Sequence, residues 1–281
     1  MADLKKRVAL VIGSGAIKCA ASIGMFQVLE EANIEVDLVV GCSGGAIYGV
    51  GKAFGFELDE IKELSDATWT KDLMQGYMMN LKASKDGTLA FNERSGMVDD
   101  SFLNDKLRSV CRGKNFADSK IPIVVVATDM MSGEPVEFSR GDIFDAVRAS
   151  LAIPMIFPPW EVDGSLFVDG AASNPLPIDI AIQHGADIVL AMGFNADYRT
   201  KFRSITAVQE HLTSIYMNNI LKNSFAFHNL AHHSEIFPII PEFDSVISMF
   251  DIHKLPHIID MGREATLEQL PHIKRLMESG G

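Results

Sequence analysis

Ser43 lies in the run Gly41-Cys42-Ser43-Gly44-Gly45, a G-x-S-x-G spacing. A serine used as a nucleophile must stand out on a sharp turn, and such a turn tolerates only small neighbours, here Gly41 and Gly45. A plain strand-to-helix bend also takes small residues, so the spacing alone decides nothing. Its surroundings add weight. "VDLVV" (36–40) precedes it and reads as a buried strand; "GGAIYGVGKAFG" (44–55) follows and reads as a helix. The start of a helix directs its positive dipole end at the turn, which favours developing alkoxide and oxyanion charge. Gly45, Gly49 and Ala53 recur every four residues and give that helix a smooth face that can press on a sheet.

A serine nucleophile needs a base. All eight histidines fall at position 184 or later, none beside a glycine turn, and they read as surface or packing residues. Asp169 is the better candidate. It closes the apolar run "SLFV" and leads through Gly170 into "AASNP", which is not a strand, whereas Asp163-Gly164 sits where a hairpin turn belongs. A carboxylate is a weak base in water, but a dry cleft raises its pKa, and direct contact with Ser43 needs no intermediary. The third part is the loop "IGSGAIKCAASIG" (12–24). It fails as a dinucleotide fingerprint, since Lys18 occupies the third glycine's place, and it lacks the ending of a phosphate loop. A loop leaving a strand for a helix presents free amides, and those of Gly15, Ala16 and Lys18 are the expected oxyanion donors.

The remaining elements must position these parts. Strands are expected at 7–12, 36–40, 121–129 and 187–194, and helices at 22–31, 44–55 and 142–150. "MSGEPVEFSRG" (131–141) and "EVDGSLFVDG" (161–170) read as hairpins, and "LAIPMIFPP" (151–159) as an extended, proline-fixed segment. Residues 57–112 read as largely helical, with 68–96 a cap or insertion, and the tail from about 200 to 281 as mostly helical. The Met- and aromatic-bearing stretch 68–91 and the tail 248–262 are candidates for an apolar wall along an acyl chain. Strand–helix alternation predicts an α/β fold with a mostly parallel central sheet and helices on both faces, in three layers and one domain spanning 1–281.

Composition narrows the function classes. The 281 residues carry 25 Lys+Arg against 37 Asp+Glu, a formal net charge of −12, which argues against nucleic acid as a partner. Cys19, Cys42 and Cys111 are an odd number of thiols and suit a reducing cytosol. The basic, apolar N-terminus has the outline of a signal peptide, but Gly13, Ser14 and Gly15 break its apolar run, and it reads as a first strand and turn. No apolar run is long enough for a membrane span.

Together, "GSGAIKCAASIG", "GCSGG" and "VDGA" resemble the glycine-rich loop, the G-x-S-x-G elbow and the D-G-[GA] motif of the patatin-like phospholipase family. The likeness runs over about 7–195. It implies a Ser–Asp dyad of Ser43 and Asp169, an oxyanion loop containing Gly15, Ala16 and Lys18, lipid or acyl-ester substrates, no metal or other cofactor, and a cytoplasmic chain in peripheral contact with membrane. The loop departs from the family pattern: Ser14 and Ala16 replace glycines, Lys18 stands where arginine is commoner, and Cys19 replaces the closing glycine. Two other readings stay open, a Ser–His–Asp hydrolase using a late histidine and a catalytically silent lipid-binding module.

Overall fold

A computed structural model describes residues 5–57, 59–62, 92–196, 198, 201–202, 205–231, 234–248 and 251–278. Its centre is an eight-stranded sheet: β1 (Val8–Ile12), β2 (Leu38–Cys42), β3 (Ile123–Asp129), β4 (Pro135–Phe138), β5 (Trp160–Val162), β6 (Ser165–Asp169), β7 (Ile188–Met192) and β8 (Glu235–Ile239). β3, β2, β1, β7 and β8 lie side by side and parallel, while β4 and β6 join β3 antiparallel and β5 extends β6. Every residue of β1, β2 and β7 is buried, as apolar strands covered on both faces must be.

Helices cover both faces, giving the expected three layers. Alternate strand residues Leu10, Ile12, Val39, Val125 and Leu190 pack with α1 (Ala21–Glu31), α2 (Gly44–Phe54), α4 (Ile143–Ser150) and α7 (Leu255–Glu278). The intervening residues Ala9, Val11, Val40, Val124 and Val189 face α5 (Ile178–Gln183) and Leu221 of α6 (Ile205–Ala231). α3 (Ser101–Cys111) adds Leu103 and Leu107 to the first face.

Two features differ from expectation. The tail contains a strand, β8, hidden in sequence by Pro238; it sits at the sheet's edge, bonded to β7 alone, where a residue without an N–H is tolerated. The proline-bearing run 151–159 is not extended but folds into tight turns, with Phe157 N–H donating to Ile153 O at 3.0 Å and Met155 at φ 66°. Of the two expected walls, 68–91 lies outside the described residues. In the tail stretch 248–262, Leu255, Ile258 and Ile259 belong to the main core, His253, Pro256 and Asp260 are exposed, and 249–250 lie outside the described residues.

α7 reaches the core by crossing α1 backbone to backbone. A Cβ at Gly262 would fall 1.9 Å from Ala21 O, and one at Gly24 would fall 2.2 Å from Ile259 O. Neither helix can yield a backbone atom without parting from the other. Gly262→Val is therefore expected to lower the urea midpoint, costing about 1–3 kcal/mol, with an unchanged m-value; wild-type stability would refute the close crossing.

Candidate active site

Two strands meet end to end on one edge of β3. β4 pairs with Val125 to Thr128 and so occupies the other edge. β2 pairs with β3 up to Cys42 opposite Val126, and β6 takes over from Ala127, which faces Asp169. A strand has two edges, so β2 and β6 share the second, running toward each other. Ser43 and Asp169 are the residues at the meeting point. Their side chains touch: Ser43 Oγ donates to Asp169 Oδ2 at 2.6 Å, across 126 positions of sequence. Gly170 allows this convergence, because a Cβ there would lie 2.3 Å from Val126 O and 2.9 Å from Cys42 Sγ.

The turn at Ser43 is sharp. Its φ of 55° and ψ of −128° are disfavoured for a residue with a Cβ, and such strain persists only where the surroundings impose it. A Cβ at Gly45 would lie 2.2 Å from Ile12 O, and one at Gly41 would lie 2.7 Å from Ala46 Cα. Both glycines let the turn sit against its own helix and β1. The Ser43 amide donates to Ser150 Oγ at 2.7 Å, and that hydroxyl donates to Val126 O at 2.6 Å. Thr128 Oγ1 does the same for the partner, donating to Asp169 O at 3.0 Å, with Ser173 Oγ 2.7 Å away. Sequence alone does not single out Ser150 and Thr128, since hydroxyls on an ordinary helix and strand carry no spacing signal.

Ser43 and Asp169 are 4% and 3% exposed. Burial pushes the Asp169 carboxyl up to about 6, against the opposing pull of the hydrogen bonds from Ser43 Oγ and from Ala171 N–H, the latter at 2.8 Å. Among the described residues no imidazole hydrogen-bonds Ser43 or Asp169; His184 instead meets Glu137 at 2.8 Å, away from the site. The neighbouring thiols are poor nucleophiles. Cys19 and Cys42 are fully buried, and burial, reinforced by the Asp169 charge, holds both well above the ordinary thiol range.

The glycine loop lies against the elbow. Gly13 N–H donates to Met192 O at 2.9 Å and Ser14 N–H to Pro175 O at 2.8 Å, tying the loop to β7 and to the segment after Asp169. Lys18 departs from the expected donor set: its N–H donates to Gly15 O at 3.0 Å within a short 3-10 turn over Ala16–Ala20. Its side chain is buried, with Nζ donating to Asn195 O at 3.1 Å. The amides of Gly15 and Ala16 make no hydrogen bond among the described residues. Ala16 takes a left-handed φ of 49°. A Cβ at Gly44 would lie 2.5 Å from Ala16 O, so the loop rests directly on the elbow. Cys19 fits as a helical residue, its thiol on Gly13 O at 3.3 Å.

Comparison with known proteins gives the family and the fold. A family model described as patatin-like phospholipase matches residues 10–182, and the chain belongs to that family. It is 31% identical over 225 residues to an uncharacterized NTE family protein of Mycobacterium tuberculosis, covering 80% of this chain and 58% of that protein. It is 30% identical over 196 residues to patatin-like phospholipase domain-containing protein 6 of Homo sapiens, covering 69% of this chain and 14% of that one. The chain thus spans just over half the length of the mycobacterial relative. Among solved structures it resembles VipD from Legionella pneumophila, with a TM-score of 0.53 and 16% identity over 96% of this chain and 67% of the other; that likeness concerns the fold.

Ser150→Ala is expected to leave the buried Ser43 N–H unpaired, costing about 1–3 kcal/mol of stability and loosening the elbow. Urea denaturation checks the first effect. Retention of wild-type stability would show that the Ser150 hydroxyl does not hold the turn.

Proposed function

We propose that this chain is a serine acyl-ester hydrolase of lipids, working through a Ser43–Asp169 dyad. The observation that carries the reading is the 2.6 Å hydrogen bond between the two buried side chains, with no imidazole bonded to either among the described residues.

Ser43 Oγ attacks the acyl carbonyl as its proton passes to Asp169 Oδ2. The carbonyl oxygen becomes an oxyanion, met by the free amides of Gly15 and Ala16 and by the positive end of α2. Such donors contribute about 3–4 kcal/mol to barrier lowering. As the tetrahedral species collapses, Asp169 returns the proton to the departing alkoxide and an acyl-serine remains. Water then attacks the acyl carbon, yields its proton to Asp169, and the carboxylic acid leaves as Ser43 recovers its hydrogen. The same residue serves as base and acid in each half. The family match supports lipid esters as substrates, and three buried free thiols suit a cytoplasmic location.

Two measurements test this. Asp169 accepts a proton only when ionised, so kcat/KM should rise with pH through about 6 and then level. The same rise retained in Asp169→Asn would point to another base.

The second test links activity to stability. The ordinary aspartate value is 3.8 and the folded value is about 6, so the unfolded chain loses this proton first as pH rises. Stability contributed by the protonated form is therefore intact below about 4 and lost between about 4 and 6, an effect on the order of 3 kcal/mol. Asp169→Asn should abolish ester turnover, by about a thousandfold or more, yet remove this pH-dependent loss, as denaturation at pH 4 and pH 8 would show. Labelling of Ser43 by a fluorophosphonate should vanish in Ser43→Ala; an unlabelled wild type would favour the silent lipid-binding reading.

A further inference from the structure

α6 is apolar on two opposite faces. Ala207, Asn218 and Leu221 are buried and fall on one side of the helix. Val208, Leu212, Tyr216 and Ile220 recur every four residues on the other, and all four are exposed, Tyr216 to 60%. At 100° per residue the centres of the two sets lie nearly opposite. A run of exposed apolar side chains on one helix face marks an interaction site, so the outer stripe calls for a partner.

Its position relates it to the active site. Asn218 grips the backbone just past the end of β7, accepting from Ala196 N–H at 2.7 Å and donating to Ala196 O at 2.9 Å. From Asn218 onward the helix descends beside the sheet and leads into β8, which starts level with the start of β7. The preceding residues, 205–217, span about 20 Å of helix on the side of Asn218 that lies toward the Ser43 end of the sheet. Exposed Tyr198 and Phe202 fold onto this stretch, their rings 5.8 and 4.8 Å from that of His211.

Charge selects the occupant. The chain has a net charge of −12, yet residues 197–228 contain four Lys/Arg and two acidic residues. Of the basic ones, Lys201 and Lys222 are described and both are exposed, toward opposite ends of the stripe. An apolar helix face with tyrosine and flanking lysines suits the interface of an anionic bilayer, where the local cationic excess acts within a Debye length and the distant acidic residues are screened. No helix among the described residues is long and apolar enough to cross a membrane.

We infer that the outer face of α6, with Tyr198 and Phe202, seats the protein on an anionic lipid surface and brings the Ser43 end of the sheet to its substrate. This rests on the lipid-ester reading above, and the two can fail separately. The Ser43→Ala chain, which binds without turnover, is sedimented with vesicles of equal parts phosphatidylcholine and phosphatidylglycerol. It should pellet with them, and far less with phosphatidylcholine alone. Leu212→Glu/Tyr216→Glu should weaken pelleting at least about tenfold, since each buried side chain contributes over 1 kcal/mol. Lys201→Glu/Lys222→Glu should weaken it by a similar factor at low salt.

In the Ser43 background, the apolar pair should keep hydrolysis of a soluble short-chain ester, showing an intact fold, while losing hydrolysis of vesicle lipid. Absence of pelleting, or pelleting unchanged by the apolar pair, overturns the inference. So does a dimer, seen by sedimentation velocity, that the apolar pair dissolves. Pelleting that behaves as expected without any ester hydrolysis by the wild-type chain would instead remove the hydrolase reading and leave the docking face standing.

Discussion

The candidate site depends on how strands share the edges of β3. With β4 on one edge, β2 and β6 must divide the other, and they approach it from opposite directions. Where they meet, the chain has to leave the sheet twice within one residue's rise. The elbow at Ser43 and the turn at Gly170 are those two exits. The hydrogen bond between Ser43 and Asp169 follows from this junction rather than from any long reach of side chains.

The junction carries an energetic cost that the rest of the fold offsets. A strained serine, a buried carboxyl and a left-handed alanine all sit within it. None would persist in a loose loop. Hydroxyls of Ser150 and Thr128 fix the backbone on either side, and the glycine loop is pinned at both β7 and Pro175. The surrounding core is continuous from α1 through α2 and α4 to α7, so a displacement at the junction would have to disturb close-packed side chains.

Much of this was legible from sequence because its signals are local. Short apolar runs rich in β-branched residues marked β1, β2, β3 and β7, and Asp163-Gly164, with φ of 50° and 82°, is the expected hairpin turn. Ser43 and Asp169 announced themselves by small neighbours. What stayed hidden is what depends on distant partners. Pro238 disguised an edge strand whose bonding comes entirely from β7. The amide of Lys18 looked free until its turn was seen to close on Gly15 O. Ser150 and Thr128 act only through groups far away in the chain, and the core role of Ile258 shows only in the crossing with α1.

The hairpin of β5 and β6 shows how geometry at a distance constrains chemistry. Its two-residue turn fixes Val162 opposite Ser165 and Trp160 opposite Phe167, and the count from that turn decides which face Asp169 presents. Side chains along a strand alternate between faces, so parity matters more than identity here. Substitutions along this arm leave the count intact, whereas one inserted residue would rotate the carboxyl to the α5 side of the sheet. Tolerance of replacement together with intolerance of insertion is thus built into a segment mostly remote from the pair.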